Sequence, residues 1–261
     1  MESYRRAVSA HWRRVYNFAF RMTLHADSAV EVTRETFMRA FVGLEKLPAV
    51  PAQAEAWLLR IAAHVVERRT ASEPQVSFEM LDDTLRSEAT RTDVVHLLSA
   101  PERNFLLWEL KQGCMTAVLN CLPLGERSAF ILHVILGYSE EVAAQALGTT
   151  RSAVKVRLSR ARKKVTDYLA PRCENVDPRN PCRCPSRLGV AMSRGFLGPQ
   201  PGAEVSLRPA FGRYGTGDDT PLRDVMAIYH SLPEPDAPTD LGADILGRVD
   251  RGEWAGLRKK G

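Results

Sequence analysis

The sequence predicts an all-α protein: two small helical domains joined by a linker and followed by a poorly ordered tail. Three observations predict it. Apolar residues recur three and four positions apart through residues 1–69 and again through 104–170, the spacing of a buried helix face. No region carries the sustained alternation of strands. The composition shifts twice, to Ser, Thr, Glu and Asp over 70–103 and to Pro, Gly and Arg over 171–261, as linkers and loosely packed segments do.

In chain order, Val15, Phe18, Ala19 and Met22 form the first apolar stripe. Val32, Phe37, Ala40, Phe41 and Leu44 form a second, ending at Lys46-Leu47-Pro48. Pro48 and Pro51 mark a loop. A third helix starts near Ala52, carries Trp57, Leu58, Ile61, Ala62 and Val65, and ends in Glu67-Arg68-Arg69. Helices of this length can bury one small core. In the linker, Phe78, Met80, Leu81 and Leu85 suggest one short docking helix between the breaks at Pro74 and Pro101. Leu106, Leu107, Leu110, Cys114, Val118 and Cys121 read as a long amphipathic helix, ended by Leu122-Pro123-Leu124-Gly125. Arg127 to Leu136 is a strongly apolar helix stopped by Gly137. In the tail, 195–220 is Gly- and Pro-rich, with short helical patterns near 220–231 and 240–250.

The chain has 36 Lys and Arg against 31 Asp and Glu, a net charge of +5. That suits a nucleic-acid partner, and the basic clustering after residue 150 says so more strongly than the total. No run of ~18 apolar residues is present, so no membrane span is expected. The N-terminus lacks the apolar core and cleavage site of a signal peptide, so a cytoplasmic protein is expected. Five cysteines in such a compartment point to buried thiols, a metal site or a redox switch rather than a disulfide framework. No nucleophile, phosphate loop or carboxylate pair is evident, so no catalytic activity is expected.

The segment 137–164, GYSEEVAAQALGTTRSAVKVRLSRARKK, is the most specific. Ser139 is placed to cap a helix, with Glu140 and Glu141 in its first turn. Val142, Ala143, Ala146 and Leu147 follow at helical spacing, and Gly148-Thr149-Thr150 breaks the pattern. A second helix carries Arg151, Lys155, Arg157, Arg160, Arg162, Lys163 and Lys164, while Val154 and Leu158 can face inward. A short helix, a tight turn and a basic second helix make a helix-turn-helix whose second helix can enter a major groove. A solvated basic helix on a bundle is the plainer reading.

Ala117, Leu122-Pro123, Arg127, Gly137, Ser139, Glu141-Val142-Ala143, Leu147-Gly148 and Val154 to Arg162 together resemble region 4 of the extracytoplasmic-function (ECF) group of sigma-70 family sigma factors. The first module resembles region 2 of that group. Arg21-Met22-Thr23, Asp27, Glu31, Thr33, Glu35-Thr36-Phe37 and Arg39-Ala40-Phe41 match its helix pair, and Trp57-Leu58-Leu59-Arg60-Ile61-Ala62 matches its promoter-facing helix. The resemblance covers residues 4–69 and 104–170. It implies region 2 over 1–69, a linker over 70–103, region 4 over 104–170 and a Cys-containing extension over 171–261. The chain departs from the family at Val30, where an acid is usual, at Arg34, where Gln is usual, and at His64, where Asn is usual.

The resemblance implies a dissociable subunit that binds the RNA polymerase core (β′ clamp helices and β flap) and selects promoters, with an anti-sigma factor as a further candidate partner. Region 4 would dock the −35 element through Arg151, Ser152, Lys155, Arg157, Arg160, Arg162 and Lys163. Arg and Lys pair with guanine edges or phosphates. Region 2 would read the melted −10 strand with Arg60, His64 and Arg68, single-strand readers needing basic groups and platforms; Trp57 reads as a core anchor and Arg69 lies beside them. Asp27, Glu31, Glu35, Phe37 and Arg39 would bind the core polymerase.

Cys114 and Cys121, seven apart on one helix, read as buried core thiols. Cys173, Cys182 and Cys184 would suit zinc or another soft metal, with His133 or His230 as a fourth ligand, although C-x8-C-x-C is not a standard zinc pattern. No cofactor is required by the rest of the chain. Arg172, Arg179 and Arg183 nearby would lower the thiol pKa values; packing a helical cap on region 4 is the alternative. A free-standing helix-turn-helix regulator and a metal- or redox-sensing interaction protein are the competing functions. Packing of the two modules as one rigid globule would indicate an inhibited state held by the linker or tail.

Overall fold

The computed structural model describes residues 1–71, 76–86, 99–193 and 223–260. Its helices are α1 (Glu2–Thr23), α2 (Ala26–Val42), α3 (Pro51–Thr70), α4 (Phe78–Arg86), α5 (Ala100–Asn120), α6 (Leu124–Phe130), α7 (Glu140–Ala146), α8 (Arg151–Leu169), α9 (Cys184–Ser193), α10 (Val225–His230) and α11 (Leu241–Asp250). Among the described residues there is no strand, only an isolated bridge between Cys173 and Cys182. Two compact units divide the chain: Met1–Gln75 with Leu122–Ala161 and Pro233–Gly261, and Val76–Cys121 with Arg162–Leu232. These packing limits cut across the motif limits read from the sequence. The helix-turn-helix and the end of the tail lie with α1–α3, and the division passes through α8.

In the first unit α1, α2 and α3 pack against one another. Val8, Val15, Phe18 and Ala19 of α1, Val32 and Phe37 of α2, and Leu58, Leu59 and Ala62 of α3 are sealed from solvent. Each large apolar side chain so buried contributes about 1.5–3 kcal/mol. Leu24 ends α1 in the left-handed conformation (φ 64°), its N–H donating to the Phe20 carbonyl at 2.7 Å. Pro51 opens α3 at a position where a missing N–H costs nothing. α3 also packs on α7. Glu55 joins the two segments: its carboxylate meets His11 Nδ1 at 3.1 Å and accepts the Tyr138 hydroxyl. Buried Arg127 of α6 donates to the Met22 carbonyl at 2.9 Å.

The helix expected over 127–136 starts earlier and changes pitch. It is α-helical through Phe130 and π-helical over Ile131–Ile135. Leu136 N–H reaches back five residues to the Ile131 carbonyl at 2.9 Å, and Gly137 turns the chain at φ +75°.

The second unit is built on α5 and α9. Phe105, Leu106, Leu107 and Leu110 of α5 pack with Cys184, Leu188 and Ala191 of α9. Ser99 caps α5 in a capping box with Glu102. α5 is expected to be amphipathic, yet Lys111 and Gln112 are buried along with its apolar residues, and the Tyr229 hydroxyl of α10 donates to the Met115 carbonyl at 3.0 Å. Helices of the tail cover it on further sides. α4 docks through Phe78, whose ring centroid lies 4.8 Å from that of Tyr168, and Asp82 accepts from the Tyr168 hydroxyl and from Arg172. The low order expected for 195–220 lies outside the described residues. The described tail carries α9, α10 and α11, whose Leu188, Ile228, Tyr229, Leu241 and Ile245 are buried.

Candidate nucleic-acid interface

The helix-turn-helix forms as its residues dictate. The Ser139 hydroxyl accepts the Val142 N–H at 3.3 Å and caps α7. Gly148 takes φ +58° in the turn, a region costly for any side chain. Val154, Leu158, Ala161 and Val165 of α8 face inward and are buried.

The opposite face of α8 exposes Ser152, Lys155, Arg160, Arg162 and Lys163. Arg151 is exposed too, but Glu140 and Glu141 each hold it at 2.8 Å, and Lys155 lies 3.7 Å from Glu140. Arg157 departs from the expectation. It is half-buried and turned toward α6, where a Cβ added to Gly125 would lie 3.3 Å from its guanidinium. Lys163 pairs with Asp167 at 2.8 Å. Two features escape a reading by charge alone. Val156 is 47% exposed among the basic residues, an apolar group of the kind that contacts thymine methyls. Glu140 and Glu141, in the first turn of α7, partly neutralise the start of α8.

On α3, Arg60, His64 and Arg68 are all exposed at four-residue intervals, which places them on one face. His64 lies 3.6 Å from Glu67. Arg60 sits against the helix-turn-helix, its Nη2 2.9 Å from where a Cβ on Gly148 would stand. Two elements expected to read separate stretches of promoter are therefore in contact within the first unit. Trp57 is half-buried rather than a core anchor.

The residues expected to meet the core polymerase divide into two groups. Asp27 and Glu31 are exposed, and Glu35 and Arg39 are partly so. Phe37 is not a surface residue: it is 0% exposed, and its carbonyl accepts the Tyr4 hydroxyl, because its position on α2 points into the three-helix core. Glu35 accepts from Arg39 at 2.7 Å and from Arg69 at 2.9 Å, and Arg69 reaches Glu31 at 2.5 Å. Burial alone would raise the Glu35 carboxyl, but hydrogen bonds from Arg39 and Arg69 outweigh it and hold the pKa below the usual range. Arg69 thus serves the acidic helix rather than standing with the DNA-facing residues.

Among the described residues no three His, Cys, Asp or Glu side chains are placed to hold a metal ion. The metal set expected at Cys173, Cys182 and Cys184 is therefore not assembled. Asn175 Nδ2 donates to the Cys173 and Cys184 sulfurs at 3.5 and 3.4 Å, and Cys184 is packed into the α5–α9 core. His133 Nδ1 lies 2.7 Å from the Tyr138 carbonyl. The expected lowering of thiol pKa is reversed at Cys173 and Cys184. Burial pushes Cys173 and Cys184 up, and Cys114 up to about 12. The arginines are engaged elsewhere: Arg172 with Asp82, Arg179 with Asp177, and Arg183 3.6 Å from Glu174. All five cysteines are free thiols; in the tail Cys173 and Cys184 are buried and Cys182 is half-exposed.

Comparison with known proteins falls on the same elements. The Sigma-70 region 2 family matches residues 7–73, covering α1–α3, and Sigma-70, region 4 matches 112–165, from within α5 into α8. The chain is 29% identical over 172 residues to the ECF RNA polymerase sigma factor SigE of Mycolicibacterium smegmatis, covering 65% of this chain and 63% of SigE. It is 29% identical to the RNA polymerase sigma factor NccH of Alcaligenes xylosoxydans xylosoxydans (62% of this chain, 84% of NccH) and 28% identical to the ECF RNA polymerase sigma factor EcfG of Rhodopseudomonas palustris (58% and 77%). The sigma factor RpoE from Bartonella quintana, solved with the anti-sigma factor NepR, superposes at TM-score 0.38 and 22% identity over 60% of this chain and 91% of its own, too loosely to carry an argument. With both sigma regions present in order on helices that form as their motifs require, the chain belongs to the extracytoplasmic-function group of sigma-70 family sigma factors.

Proposed function

We propose that this protein is a sigma factor that binds the bacterial RNA polymerase core, carries it to specific promoters and acts by binding rather than catalysis. The observation that carries the reading is the pairing, in one chain, of a region-2 helical bundle with a region-4 helix-turn-helix. A free-standing regulator has no need of the first. The network of Glu31, Glu35 and Arg39 on α2 with Arg69 of α3 supports a polar docking face for the polymerase. The face of α8 formed by Ser152, Lys155, Val156 and Arg160 supports major-groove reading, and Arg60, His64 and Arg68 on α3 support contact with a separated strand. An anti-sigma factor is a proposed partner on the same α2 face.

Run-off transcription with purified protein and core polymerase on genomic fragments tests the reading. Transcripts starting at discrete sites that require the added protein are expected. DNA binding without transcripts or core binding would favour the free-standing regulator.

A further inference from the structure

The end of the chain runs along the surface of α1 and α2, and it does so with complementary charge. Between Pro233 and Trp254 there are six acidic residues and two arginines. Opposite them stand arginines of α1 and α2. Arg14 meets Glu234 at 3.4 Å, Arg34 meets Asp244 at 2.8 Å, and Arg5 pairs with Asp250. Arg21, sealed from solvent, donates from Nη2 to the Pro233 carbonyl at 2.6 Å, and the Tyr16 hydroxyl donates to the Asp236 carbonyl at 3.0 Å.

Packing accompanies the charges. α11 lies against α1 and α2. Gly242 approaches Trp12 so closely that a Cβ there would be 2.8 Å from Nε1. Trp254 is buried, with its ring centroid 6.1 Å from that of Phe41. Arg248 and Trp254 line one open cleft together with Glu31, Glu35 and Arg69, the residues assigned above to polymerase docking. Arg34, the departure from the usual Gln of region 2, is the residue that Asp244 holds.

We propose that residues 233–254 are an intramolecular competitor for the α1–α2 face, occupying the ground that the core polymerase needs and released when it binds. This rests on the sigma-factor reading. The segment is suited to release. Its ion pairs are largely solvent-exposed, so each is individually weak, and a partner that binds only the uncovered face shifts the equilibrium by its preference for that state. Arg34 costs the family's usual surface one neutral side chain and gives the competitor an anchor.

The test uses full-length protein. Asp244→Arg sets a cation against Arg34, and Gly242→Val wedges the segment away from Trp12; neither alters a residue of α1–α3. Affinity for core polymerase is measured for both variants and the wild type, together with hydrogen exchange of α11 in the wild type with and without core. Both variants are expected to bind core about tenfold tighter, and α11 amides to lose protection on core binding. Equal or weaker binding by both variants, or α11 protection unchanged in the wild-type complex, overturns the competitor while leaving the sigma-factor reading intact. Failure of every form to bind core overturns both.

Discussion

At the scale of single residues, position decides what a side chain can do. Gly148 holds φ +58° between α7 and α8. Gly148→Ala is expected to cost about 1–2 kcal/mol, the price of a left-handed side chain, read as a shift in the denaturation midpoint. Arg60, being the flexible end of a side chain, moves aside. The thiols give a second expectation. Cys173 and Cys184 are buried with raised pKa values, while Cys182 is half-exposed. Alkylation of native protein at neutral pH followed by mass spectrometry should label Cys182 first. Cys173 and Cys184 should react only on unfolding; rapid labelling of either would contradict their packing role.

At the scale of elements, α11 is tied down by a charge whose titration has a definite sign. Burial alone would raise the Asp244 carboxyl, but hydrogen bonds from Arg34 and Arg248 outweigh it and lower its pKa. The folded value therefore lies below the unfolded one. Its stabilisation is present above the ordinary aspartate range of about 3.9 and is lost as pH falls through the folded value. The difference in melting temperature between wild type and Asp244→Asn should be present near neutral pH and close in acid below that range. The hydrogen bond between α6 and the end of α1 behaves differently. Arg127→Met leaves the Met22 and Leu122 carbonyls without their donor. It should destabilise the protein by about 1–3 kcal/mol, read by urea titration.

For the whole molecule, DNA binding should separate the two classes of arginine on α8. Arg160→Ala, at an exposed position, should weaken promoter binding and reduce the salt dependence of the binding constant by about one contact. Arg157→Ala, on the side turned toward α6, should leave the salt dependence nearly unchanged and lower stability instead. Titrations at several salt concentrations distinguish them; equal slopes for both variants would place Arg157 on the DNA after all.

Local chemistry made much of this legible in the sequence. Ser139, Gly148 and the Val154–Leu158 spacing specify the helix-turn-helix without help from elsewhere, since caps, turns and periodicity act within a few residues. The apolar stripes of α1–α3 likewise specify a three-helix core. Charge identified Lys155 and Arg160 as outward-facing, but it could not separate them from Arg157, because the direction of a long side chain depends on what packs beside its stem. The apolar stripe of α2 does place Phe37 inside with Val32 and Phe41; the family resemblance alone set it among the polymerase-facing residues.

The sequence by itself determined most of the helices and the basic second helix of the helix-turn-helix, which follow from short-range backbone and capping physics, and its motifs carried the family resemblance. Only the tertiary structure decided that Cys173 and Cys184 are buried, that α3 contacts α7, and that α11 lies on α1 and α2 with Asp244 against Arg34. The Arg34–Asp244 pair joins residues 210 positions apart. Such contacts depend on complementary shape and charge that exist only once each partner helix has formed.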